Sequence, residues 1–270
     1  MTDMTSTKSG TDDSLWSFLR TLFTAAVIAI VFRAFLFEPF SIPSGSMVPT
    51  LLVGDYLFVS KYSYGYSARS VGLGFVEDML GVKLPKGRIL EGAKPQRGDV
   101  VVFKLPTDGA TDYVKRLIGL PGDKLQVKGG RLYINGKQLD RDSEGTYNVG
   151  GDDLEVDHPY FRQMFKQEGR LYTEVLPEGR KHPILEMTDE GRLDNTAVYT
   201  VPDHMYFMMG DNRDNSQDSR VQSRVGYVPE ENLVGRAEVI FFSLKSGTPF
   251  WEFWMWPNRI QIERFFKSIS

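Results

Sequence analysis

At 270 residues, with 41% hydrophobic and 25% charged positions, the chain has the composition of a packed globular protein rather than a disordered or collagen-like one. A net charge of -3 and a pI near 5.7, with no Lys/Arg-rich run, give no field to hold nucleic acid, which is excluded as a partner. The lack of cysteine rules out thiol nucleophiles, disulfides and thiolate metal sites, and His158, His182 and His204 lack ligand spacing, so no metal or cofactor is expected and a hydrolase must work largely without imidazole.

Residues 1–15 are rich in Thr, Ser, Asp and Gly without an apolar period and read as a tail. Residues 16–37 are predominantly apolar, with an unbroken run from Thr21 to Phe32 between Arg20 and Arg33. At about 1.5 Å per residue this stretch spans about 33 Å, enough for a hydrocarbon layer of about 30 Å. It reads as a retained membrane anchor, with Arg33 snorkelling to a headgroup layer. No small-x-small site follows it, since Phe35, Leu36, Phe37 and Glu38 are too large, so a cleaved leader is the poorer reading; a buried core helix is the other alternative. Lys8 and Arg20 before the span against Arg33 after it place the N-terminus inside and residues 38–270 beyond the cytoplasm.

Past the anchor, short β-branched and aromatic runs alternate with turn residues: 56–60, 99–104, 113–118, 124–127, 131–134, 197–201, 204–209 and 236–243. Asn135-Gly136 between two such runs signals a tight hairpin. The fold class is mainly β, an antiparallel-sheet domain behind an N-terminal transmembrane helix. Stretches near 62–94 and 140–196 lack the pattern and read as insertions with little chemistry.

Three segments carry candidate chemistry. Phe40-Ser-Ile-Pro-Ser-Gly-Ser-Met-Val-Pro-Thr50 brackets two hydroxyls and a glycine with prolines that fix φ, so Ser46 can be held at a defined angle with its amide free to donate; on composition alone the segment is an ordinary structural turn. In Tyr113-Val-Lys-Arg-Leu-Ile-Gly119, strand alternation puts Lys115 on one face with Tyr113 and Leu117. Desolvation there would lower the lysine pKa and leave a neutral amine able to accept a serine proton; an edge-strand surface lysine is the alternative. Gly210-Asp-Asn-Arg-Asp-Asn-Ser-Gln-Asp-Ser-Arg220 is a dense polar loop. Counted from Asp214, an EF-hand would need glycine and glutamate where Ser219 and Val225 stand, so a hydrogen-bonded buttress fits it better.

In this order, Ser44-Gly45-Ser46-Met47-Val48-Pro49-Thr50, Gly98-Asp99-Val100-Val101, Tyr113-Val114-Lys115-Arg116 through Gly122-Asp123, and Gly210 through Arg220 resemble the boxes of bacterial type I signal peptidases. The resemblance covers about two-thirds of the chain and leaves the two insertions outside. It implies a membrane-bound serine endopeptidase that removes signal peptides from secretory preproteins at the bacterial inner membrane, on the periplasmic or extracytoplasmic side, cutting after Ala-x-Ala through an acyl-enzyme. Ser46 would be the nucleophile and Lys115 its base. The Ser46 amide and Ser44 hydroxyl would hold the oxyanion; Ser216 would orient the lysine, and Asp211 would pair with Arg116. Ile42, Met47, Leu51 and Tyr113 would line one substrate pocket, and Phe40, Leu57, Val102 and Val114 the other, although each fits core packing equally well.

The chain departs from the family in the longer run after Arg220, in its single anchor and in its lack of cysteine. The tail Phe250–Trp256, beside Arg259, Arg264 and Lys267, suits either a bilayer interface or the β core. A repressor-type Ser-Lys protease would share the dyad but be cytosolic, which the anchor opposes. A tethered β module that binds an envelope partner would leave Ser46 and Lys115 merely structural.

Overall fold

The computed structural model describes residues 12–68, 70, 87–149, 167–245, 248 and 252–269. Helix α1 (Asp12–Phe35) contains neither glycine nor proline. Its described side chains from Leu15 to Ala29 are all exposed, including Trp16 (73%), Phe23 (71%) and Ile28 (63%). Among the described residues no helix is long and apolar enough to cross a membrane. The expected boundaries shift at both ends: Asp12–Leu15 are helical, not tail, and Phe37 belongs to strand β1 (Phe37–Ser41). The change of structure comes just before Pro39, which cannot continue a helix and is tolerated on β1 because that strand is a sheet edge.

Leu36 alone separates α1 from β1, and four contacts fasten the junction. The Lys61 amide donates to Leu36 O at 3.0 Å, the Tyr66 hydroxyl donates to Phe35 O, and Glu38 takes Arg33 at 3.0 Å and Lys61 at 2.8 Å.

The strands continue as β2 (Asp55–Ser60), β3 (Gly65–Ser67), β4 (Arg88–Glu91), β5 (Val100–Lys104), β6 (Asp112–Gly119), β7 (Lys124–Lys128), β8 (Arg131–Ile134) and β9 (Lys137–Gln138). After them come β10 (Asp140–Val149), β11 (Gln167–Val175), β12 (Lys181–Glu186), β13 (Tyr199–Thr200), β14 (Met205–Met209), β15 (Val228–Pro229), β16 (Leu233–Ser243) and β17 (Lys267–Ser268). The main sheet runs β1-β2-β16-β5-β6-β14-β15, with β17 on β16, and its strand pairs are antiparallel. The mainly antiparallel β class read from the sequence is therefore correct for the domain after α1. A smaller sheet, β13-β7-β8-β9, turns at Asn135-Gly136, both at positive φ (52° and 81°). It packs on the main sheet so closely that a Cβ at Gly119 would lie 2.6 Å from Leu125 Cδ1.

Three apolar clusters hold these layers together. The first joins Leu57, Val59, Val100, Val102, Val234, Ala237 and Ile240 of the main sheet to Ile42, Met47 and Leu51 of the connection after β1. At about 25 cal/mol per Å² of apolar surface removed from water, this burial anchors the loop that carries Ser46.

The two stretches read as insertions are structured in part. The first contributes the β3–β4 pair. The second contributes the three-stranded ribbon β10-β11-β12. Most of its β10 side chains face solvent on both sides, so no two-residue alternation marks the strand in the sequence.

Candidate active site

Ser46 lies in a single tight turn, Gly45–Met47, whose flanking Ile42, Met47 and Leu51 are sunk in the first cluster. The buried anchors and Pro43 and Pro49 leave the turn little freedom, and Ser46 is 8% exposed. Lys115 projects from β6, whose neighbour β5 pairs Val101 with it. Its Nζ lies 2.7 Å from Ser46 Oγ and donates to Val114 O at 2.9 Å. The Tyr113 ring covers it at 5.3 Å from centroid to nitrogen.

Lys115 is 3% exposed, and among the described residues no carboxylate reaches ion-pair distance of it. Burial pushes its pKa from 10.5 down to about 8, against a weaker upward pull from Asp218 and Asp211. An appreciable share of the amine is therefore neutral near pH 8 and can accept the Ser46 proton along the contact already present. Ser44 Oγ stands 3.3 Å from Ser46 Oγ, on the exposed side of the turn.

The neighbouring Arg116 points to the opposite face, as strand alternation requires. It forms a two-pronged pair with Asp211, Nε to Oδ1 and Nη2 to Oδ2 both at 2.8 Å, and its Nη1 donates to Gly98 O at 2.7 Å. Thr50 closes this group by donating to Asp211 Oδ2 and accepting from Arg116 Nη2.

The polar loop after β14 packs against the Ser46 turn. Gly210 lets it approach: a Cβ there would lie 2.5 Å from Ser46 O and 2.2 Å from Ser216 Oγ. Burial would raise the Asp218 pKa, but Arg220, bound to both its oxygens, reverses this and holds the carboxyl below its usual range. The Gly210 amide also donates to Asp218.

Of the residues expected at the site, Ser44, Ser46, Lys115, Arg116 and Asp211 are brought together. Ser216 is nearby and buried, but the expected hydrogen bond to Lys115 is not formed: its hydroxyl packs on Gly210 beside the Asp218 carboxylate, without a well-formed hydrogen bond. The expected pocket residues Phe40, Ile42, Met47, Leu51, Leu57, Val102 and Val114 share one cluster. Tyr113 departs from its expected group and packs with Phe103, its ring turned over Lys115 while its hydroxyl donates to Gln217 Oε1 at 3.4 Å.

Other residues at the site had no role in the sequence reading. Asn212 donates through Nδ2 to Gly45 O at 3.0 Å and through its backbone to Ser46 O at 3.2 Å. Its polar neighbours in the loop were the available signal. Glu174 on β11 forms a buried two-pronged pair with Arg213, raising the arginine pKa although burial alone would lower it. His182 on β12 is buried 3.5 Å from Glu174; burial, then the charges of Arg116 and Arg213, hold its pKa well below the usual value and keep the ring neutral. Nothing local in 140–196 announces either contact, since both depend on how the ribbon docks. Of the tail aromatics, Phe253 and Trp254 are exposed and Trp256 packs on Phe242, whereas Phe250 and Trp251 lie outside the described residues, as does His158.

Residues 15–242 match the family model described as signal peptidase, peptidase S26. A signal peptidase I of Rickettsia typhi is 44% identical over 224 residues, 81% of this chain and 76% of the relative. One of Rickettsia canadensis is 41% identical over 248 residues, 88% of this chain and 84% of the relative. A crystal structure of a signal peptidase I from Enterococcus faecalis is 30% identical and covers 53% of this chain and 97% of that one, at a TM-score of 0.29. With most of its length matched at this identity, the chain belongs to the signal peptidase family, peptidase S26, and is a serine peptidase that removes signal peptides.

Proposed function

We propose that the chain is a membrane-tethered endopeptidase that cuts secretory preproteins after small-x-small sites, with Ser46 as nucleophile and Lys115 as general base. The single observation that carries this reading is the buried Lys115 amine, 2.7 Å from the Ser46 hydroxyl and without a carboxylate partner among the described residues. Neutral Nζ takes the hydroxyl proton as Oγ bonds to the scissile carbonyl carbon. The Ser46 amide and Ser44 hydroxyl stabilise the negative oxygen that forms. The C–N bond then breaks, Nζ passes the proton to the departing amine, and the signal peptide remains as a Ser46 ester. Nζ next deprotonates a water that attacks the ester, releasing the peptide carboxylate and restoring Ser46.

Phe40, Ile42, Met47, Leu51, Leu57, Val102, Tyr113 and Val114 act as the walls that accept small side chains on the substrate. A bulky residue there would overfill a packed apolar site. Ser216 does not touch the lysine; it packs against Gly210 in the loop beside the Ser46 turn.

Helix α1 supports the anchor reading, because a helix with apolar side chains exposed all round buries them only in lipid or in a partner. Arg33 pairs with Glu38 at the domain end of the helix, which suits headgroup depth. In this reading the enzyme is a single-pass protein of the bacterial cytoplasmic membrane, its domain on the extracytoplasmic side.

The test uses purified full chain in detergent with a preprotein bearing an Ala-x-Ala site. The wild type should cut it once, and Ser46→Ala and Lys115→Met should leave it whole while keeping the wild-type circular dichroism. Cleavage at wild-type rates by either variant would remove the dyad from the mechanism.

A further inference from the structure

The oxyanion donor assigned above is the Ser46 N–H, and its direction is set by the peptide to which it belongs. That peptide joins Gly45 to Ser46 and is trans, the cis bond of this turn lying at Val48-Pro49. In a planar trans peptide the carbonyl and the N–H point in opposite directions, so whatever fixes Gly45 O fixes the aim of the Ser46 N–H. Two donors hold Gly45 O: the Val48 amide at 3.2 Å, closing the tight turn, and Asn212 Nδ2 at 3.0 Å, from a loop more than 160 residues away. The Asn212 backbone also donates to Ser46 O at 3.2 Å, fixing the following peptide. Only the amino group of an asparagine side chain can donate to a carbonyl, so the bond defines the amide's orientation.

Asn212 is itself held. It is 2% exposed, and Leu185 of β12 pairs with it in parallel, taking the Arg213 amide at 2.9 Å and donating to Asp211 O at 2.8 Å. The ribbon is clamped to the same loop by Glu174 on Arg213 and by the Met187 and Thr188 amides on Asp214. Leu185 also packs against Val48, two residues beyond Ser46.

We propose that Asn212 is a positioning residue for the oxyanion: its side-chain amide aims the Ser46 N–H, and β12 keeps that amide in place. The inference rests on the reading of Ser46 as nucleophile. The ground-state carbonyl makes little demand on the aim of this donor, whereas the tetrahedral oxygen does, so losing the aim slows the chemistry without weakening substrate binding. The effect is smaller than the loss of a donor outright, about tenfold against 10²–10³-fold, because the Val48 amide still holds Gly45 O.

The experiment compares wild type, Asn212→Ala, Asn212→Asp and Ser46→Ala on one preprotein, alongside inhibition by a peptide aldehyde ending in Ala-x-Ala. The aldehyde forms a tetrahedral adduct whose oxygen falls where the oxyanion would. For Asn212→Ala, kcat should fall about tenfold with KM within about twofold. Aldehyde affinity should weaken by the same factor, and the midpoint of the acid limb of the pH profile should not move. Asn212→Asp keeps the volume but places a carboxylate against Gly45 O, so its loss should be at least as large. Wild-type kcat in both variants, a loss confined to KM, a shifted acid limb, or unchanged aldehyde affinity would each overturn the proposal. So would failure of both variants to fold, since Asn212 would then be a determinant of the fold. An active Ser46→Ala would instead refute the nucleophile assignment beneath it.

Discussion

Two kinds of buried cation meet behind the same turn and are treated in opposite ways. In the polar loop and its neighbours, Arg116, Arg213 and Arg220 each receive a carboxylate at both prongs, from Asp211, Glu174 and Asp218. Lys61, a lysine buried as deeply as Lys115, has Glu38 at 2.8 Å. Lys115 receives a serine hydroxyl and a carbonyl oxygen. The guanidinium charges are paired with carboxylates, whereas the Lys115 ammonium meets only neutral oxygens and is left to desolvation. The nearby carboxylates of Asp218 and Asp211, each paired with an arginine, pull its pKa upward, but less than burial pulls it down.

Replacing the unpaired member should separate activity from stability. Lys115→Met should lower kcat/KM by about 10³-fold or more, as losing one member of a dyad does. The same change should raise resistance to denaturant at pH 7, by up to about 3 kcal/mol, because it deletes the penalty of burying an ammonium. Equal or lower stability in a urea titration would show that the amine is better solvated than its burial implies.

Breaking a paired member should do the reverse. Asp211→Asn leaves Arg116 buried with its charge uncompensated and should cost about 3–5 kcal/mol. A loss under 1 kcal/mol in the same titration would mean that Gly98 O and Thr50 suffice to hold the guanidinium.

The proton itself gives a smaller and sharper signature. Cleavage should rise about tenfold per pH unit below pH 8 and level off above it, tracking neutral Lys115. The folded-state pKa, about 8, lies below the ordinary 10.5, so between these values the unfolded chain binds more protons than the folded one. Stability from this group therefore climbs as pH rises from about 8 to 10.5, and the full penalty applies below 8. Lys115→Met should remove that slope. Smallest of all, Thr50→Val, which removes a hydroxyl shared by Asp211 and Arg116, should cost about 1 kcal/mol and leave the pH profile in place.

Much of the site was legible because it is built from local signals. A proline-bracketed turn, an alternating strand and a dense polar loop each announce themselves within a dozen residues, and each delivered its residues to one place. The strands of the main sheet were legible for the same reason, since Val100–Phe103 and Lys115–Ile118 lie against apolar layers. The ribbon was not: Asp140–Asn148 buries little, and the groups that matter, Glu174, His182 and Leu185, are meaningful only against a loop many residues later. Ser216 shows a further limit. Its place in the loop was predictable, but where its hydroxyl comes to rest was not: it packs on Gly210 instead of meeting Lys115.

The one-residue junction at Leu36 bears on where a substrate can be cut. The contacts of Lys61, Tyr66 and Glu38 tie the end of the helix to the start of the sheet. If α1 sits in lipid, the ten residues after Leu36, ending at Ser46, limit the height of Ser46 above the bilayer to about 33 Å. Such a limit works as a ruler: a preprotein can offer its bond only if the distance from its own hydrophobic helix to the cut falls within it, so reach would select the site alongside side-chain size.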